Sequence, residues 1–167
     1  MEASQSLAEL VSAARSNAAI SQDLIAALRG QSTGQNVDAE RSAATDIGAT
    51  AIDIFAVFEA RMQVYFKRGP LSRKVKAALL EVGQANLADK LHQHYLMINV
   101  LKHGTGASYR ELLGNKSNLF SVYPSDPEST ETAPHISLVD VTQPGFFDGL
   151  AETILAAASF LENRSSY

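Results

Sequence analysis

The stretch Asn99–Leu112, NVLKHGTGASYREL, gathers the side chains best suited to chemistry. His92, Tyr95, Asn99, Lys102 and His103 recur at steps of three, four and seven residues, which places them on one side of a helix near its C-terminal end. An imidazole, a phenol, an amide and an ammonium in one strip can hold a phosphate or a ribose, or move a proton near neutral pH. The Gly104-Thr-Gly106-Ala-Ser108 turn that follows offers backbone N–H groups and a helix start to an anion. Lys102 and Arg110 add charge, and Tyr109 completes the ligand-contacting set. A plainer account competes with this one. Lys102 and His103 suit the negative end of a helix dipole, and Gly104 is an ordinary helix stop.

Other chemistries find less support. His92 and His94 are two residues apart and cannot share a metal ion from one regular helix. Asp89 and His92 share a face but lack the second Glu-x-x-His of a di-metal bundle, so no metal site is expected. There are no cysteines, which removes thiolate ligands, disulfides and cysteine nucleophiles. Ser108 lacks the Gly-x-Ser-x-Gly setting of a serine nucleophile. The Gly-x-Gly at 104–106 is not a Walker loop and does not follow a strand. Of the carboxylates Asp46, Asp53 and Glu59, one is a candidate to orient Lys102 or His103 from a neighbouring helix. No cofactor is implied.

Helices must position these groups. The first is expected across SLAELVSAARSNAAISQDLIAALRG, as one bent helix or two short ones, ending at Gly30. The second follows a polar loop, starts with Asp38 as cap and carries a wide stripe of Ile47, Ala51, Ile54, Phe55, Phe58, Met62 and Tyr65 before Gly69-Pro70. A third long helix is read from Ser72 as cap to Gly104, with Leu87, Leu91, His94, Ile98 and Leu101 on its later apolar stripe and a bend at Gly83–Asn86. Ser108–Gly114 is a short helical turn. NLFSVYP and HISLVDV, separated by the polar SDPESTETAP, read as a β-hairpin. Phe147, Leu150, Ile154 and Leu161 mark a last helix.

The chain therefore reads as mainly α: one domain over 1–167, a four- or five-helix up-and-down bundle with a small β-hairpin before the last helix, and 1–35 as a peripheral helical arm. The apolar faces predict a homodimer. A formal charge of −4 disfavours bulk-charge binding of nucleic acid, and the start MEASQSLAEL suggests no secretory signal or membrane span, so a cytoplasmic location is expected.

INVLKHG, with Asn99, His103 and Gly104, resembles the motif of the HEPN superfamily of helical nucleotide-binding domains, and AIDIFAVFEARM is similar to that family's early helix. The motif is an Arg, a polar residue that is often Asn, and a downstream His, often followed by Gly. The resemblance implies a dimeric helical bundle, with ribonuclease activity in active members and His103 as acid/base. Here Ile98 occupies the Arg position. The expectation is a bundle without catalysis that dimerises and binds a nucleotide-like or phosphate-bearing ligand, RNA included, near Asn99–Arg110. A ribonuclease using His103 and a pure interaction module are the rivals.

Overall fold

The computed structural model describes residues 4–31, 36–115, 119–125 and 135–164. Among them are six α-helices and no named strand. Helix α1 (Leu7–Arg29) is a single helix. Its start is fixed by a reciprocal pair: the Ser6 hydroxyl accepts the Glu9 N–H at 3.2 Å, and the Glu9 carboxylate accepts the Ser6 N–H at 2.7 Å. Its buried stripe is Leu7, Val11, Ala14, Ala18 and Ile25, all part of the main core.

Helix α2 (Val37–Met62) lies antiparallel to α1, tied at both ends. Arg29 meets Glu40 at 3.2 Å near the connection, and the Arg61 guanidinium donates to the Gln5 carbonyl at 2.7 Å at the far end. Its wide stripe explains its neighbours: α2 packs against α1, α4 and α6.

The expected third helix is two helices, α3 (Leu71–Glu81) and α4 (Ala85–His103). Gly83 adopts φ +78°, a left-handed conformation that ends α3. The Gln84 N–H donates to the Leu79 carbonyl at 2.9 Å and the Gly83 N–H to the Leu80 carbonyl at 3.1 Å, the double closure of a Schellman turn. A bend cannot satisfy those carbonyls; a stop and restart does. Helix α5 (Ala107–Gly114) folds back onto α4, and α6 (Phe146–Arg164) closes the bundle.

The expected caps Asp38, Ser72 and Ser108 fall within first turns instead; the N-cap residues are Asn36, Pro70 and Gly106. Helix α6 runs antiparallel to α1, since Arg15 pairs with Asp148 at 2.9 Å while Arg29 reaches Thr142, just before α6. It is antiparallel to α4 too: His94 and Phe146 share one recess, and Gln84 and Asn163 share another. So α1, α2, α4 and α6 alternate in direction, with α3 and α5 laid on α4.

The expected hairpin is not seen among the described residues. Among the described residues it reduces to one antiparallel bridge, Val122 with Val139, flanked by Tyr123 N–H to Leu138 C=O and Asp140 N–H to Ser121 C=O, each 2.9 Å. The β-type residues serve the core instead: Phe120, Leu138, Val139 and Val141 are buried, and His135–Ser137 is a tight helical turn. Most of the expected polar loop, 126–134, lies outside the described residues. No helix among the described residues is long and apolar enough to cross a membrane.

Candidate functional site

Helix α4 carries two polar faces. On the outer face, α5 docks through the strip read from sequence. His92 Nε2 lies 2.6 Å from Glu111 Oε1, and its ring stacks on Tyr95 at 6.5 Å. The Asn99 amide donates to the Ser108 hydroxyl at 3.2 Å. Tyr109 is buried; its hydroxyl donates to the Tyr123 carbonyl and accepts the Ser125 N–H at 2.8 Å. His92, Asn99, Ser108 and Tyr109 thus bond one another or the nearby chain.

Lys102, His103 and Arg110 are exposed. Gly104 is buried at φ +73°, ends α4, and sits so close to the His135 ring that a Cβ would come within 2.7 Å of it. Gly106 is the N-cap residue of α5. Ile98, at the position where the resemblance calls for Arg, is 3% exposed and faces the core.

Of the carboxylates, Asp46 and Asp53 are exposed, while Glu59 is half-buried. Burial raises the Glu59 pKa, and the charge of Lys102 partly offsets that rise. Asp89, once a partner for His92, instead accepts the Gln93 amide at 2.8 Å. No cluster of three His, Asp or Glu side chains suited to a metal ion occurs among the described residues. The recess beside His92, walled by Phe55, Phe58, Glu59, Ser72 and Tyr95, measures about 10 Å³, room for one water at most.

The inner face differs. His94 is 2% exposed, and its Nδ1 is buried with no hydrogen-bond partner among the described residues. Its ring meets Phe120 edge-on at 5.1 Å, and Phe120 meets Phe146 at 5.7 Å. These rings border a half-enclosed cavity of about 360 Å³ between α4, the 119–120 segment and the start of α6. Leu87, Leu119 and Ala156 add apolar wall; Lys90, Gln143, Glu152 and Thr153 add polar groups.

Local bonds hold the walls in place. Gln93 is buried and accepts the Leu119 N–H at 2.8 Å, fixing the lip beside His94. The Gln143 amide donates to Ser121 at 2.6 Å, and the Thr153 hydroxyl donates to the Gly149 carbonyl at 2.8 Å. Burial, with a smaller push from the charge of Lys90, lowers the His94 pKa to about 4. At pH 7 the ring is therefore neutral, with one N–H donor and one lone-pair acceptor. Such a ring is a poor proton shuttle at neutral pH and a good fixed hydrogen-bond partner.

In the sequence His94 falls on the apolar stripe of its helix. An ionisable side chain on that stripe was the available signal. Lys90, Phe120, Gln143, Glu152 and Thr153 had none, because they reach the cavity only through the packing of α6 and the 119–146 region on α4. Comparison with protein families, curated proteins and solved structures gives no match.

Proposed function

We propose that this chain is a non-catalytic ligand-binding helical bundle, with its ligand seated in the His94 cavity between α4 and the start of α6. One observation carries the reading: the neutral imidazole of His94, whose buried Nδ1 has no hydrogen-bond partner among the described residues, lines a cavity of ligand size. A buried polar atom without a partner costs about 1–3 kcal/mol. Selection for packing alone favours an apolar side chain there; selection for a ligand accounts for the imidazole.

The outer strip supports a different role. Its polar groups join α5 to α4, which accounts for them without a ligand. The ribonuclease implied by the resemblance needs a cation beside His103, and Ile98 supplies none. RNA incubated with the protein is expected to show no cleavage that depends on His103.

The dimer belongs to the same proposal. Ile20 and Leu24, four residues apart on α1, are 69% and 49% exposed and give a second copy an apolar face to cover. Sedimentation velocity is expected to show a dimer that Ile20→Glu dissociates.

The cavity is tested by thermal-shift screening of wild type and His94→Phe against small carboxylates, amides and alcohols. At least one compound should raise the wild-type Tm and leave the variant unmoved. Equal response of both proteins to every compound would contradict the site.

A further inference from the structure

The chemistry of the cavity narrows the ligand further, and this step rests on the reading just given. The neutral His94 ring carries one proton. Placing it on the sealed Nδ1 would bury a donor without an acceptor, which proteins tolerate less often than an unmet lone pair. The proton therefore belongs on Nε2, and His94 serves the cavity as a donor.

Two features of the surroundings reinforce a preference for an acceptor. Gly145, Phe146 and Gly149 bring the start of α6, the positive end of its dipole, to the cavity wall. Lys90 contributes an ammonium to the same wall. The acidic residue of the first α6 turn, Asp148, is paired with Arg15 at 2.9 Å and does not line the cavity. Glu152, one turn further along, is the opposing charge on the wall. The remaining wall near the polar end is Phe120 and Phe146, inclined at 64° to each other. A volume of about 360 Å³ lies at the small end of ligand pockets, which commonly span roughly 300–1,000 Å³.

We infer that the cavity binds a small monocarboxylate with a compact apolar body, its carboxylate on the His94 N–H and Lys90 at the start of α6, its body between Phe120 and Phe146. The carboxylate offers an acceptor to the His94 N–H. A charge-assisted hydrogen bond is roughly twice as strong as a neutral one, so the acid is preferred over its amide.

The probes are benzoate and hexanoate, each beside its primary amide, titrated into the full chain at pH 7 and followed by calorimetry and by the His94 imidazole resonances. At least one carboxylate should bind about tenfold or more tighter than its amide and move those resonances. Lys90→Met, a change at an exposed position, should weaken that carboxylate about tenfold, and Glu152→Gln should tighten it. Amides binding as well as the acids, or Glu152→Gln weakening the acid, would overturn the carboxylate assignment and leave the cavity as a site. No response of the His94 resonances to any of the four compounds would overturn the assignment and the ligand-binding reading together.

Discussion

His92 and His94 stand two residues apart on α4, about 200° apart around its axis. His92 is partly exposed and paired with Glu111 on α5, a contact that explains why it is there. His94 is buried edge-on against Phe120, and its Nδ1 has no hydrogen-bond partner among the described residues. The pair shows that a row of polar side chains is weak evidence of a site when its members satisfy one another. A single buried polar side chain with an unmet nitrogen, on the wall of a cavity, says more.

The largest expected effect separating the two is pH dependence. The His94 pKa is about 4 in the fold against an ordinary 6.5. As pH falls through that window the unfolded chain takes up the proton first, so stability present above pH 6.5 is lost as pH approaches 4. The difference corresponds to about 3 kcal/mol at most. Urea unfolding at pH 7 and pH 4.5 should show a wild-type loss that His94→Phe largely abolishes. Glu59, whose pKa burial raises, contributes with the opposite sign in both proteins and cancels in the comparison. Equal losses in the two proteins would mean that His94 is not held neutral by burial.

A smaller effect concerns the cost of the unmet nitrogen. At pH 7, His94→Phe should gain about 1 kcal/mol, because it removes a desolvated polar atom and keeps the ring in its aromatic surroundings. A ligand site retained against stability behaves this way. A clear loss in urea melts would show that His94 has a structural partner.

The smallest effect belongs to the outer pair. A double-mutant cycle on His92 and Glu111 should give a coupling below about 1 kcal/mol that shrinks in high salt, as exposed pairs do. A larger, salt-insensitive coupling would move attention back to the α4–α5 seam.

Helical periodicity carried most of the fold. The stripes of α2 and α6 were legible because each is long and amphipathic, and Gly83 was legible as a disturbance. That it stops the helix outright depends on two backbone hydrogen bonds that no pattern displays. The missing hairpin has a related cause. Phe120, Val139 and Val141 have strand-forming side chains, but they are buried in the helical core, and among the described residues one bridge forms beside them. At the site, residues within one helix were legible by spacing, so the His92–Lys102 strip stood out. The cavity joins residues more than fifty positions apart, such as Lys90 and Glu152, and only the packing of α6 on α4 unites them.

Imidazole nitrogen NMR, reporting His92, His94, His103 and His135 in one spectrum, tests the central claim most directly. At pH 7 His94 should be neutral with its proton on Nε2. Benzoate or hexanoate should shift the His94 resonances and leave those of His92 and His103 in place. Movement of His92 and His103 with His94 unchanged would contradict that claim and return the site to the outer face of α4.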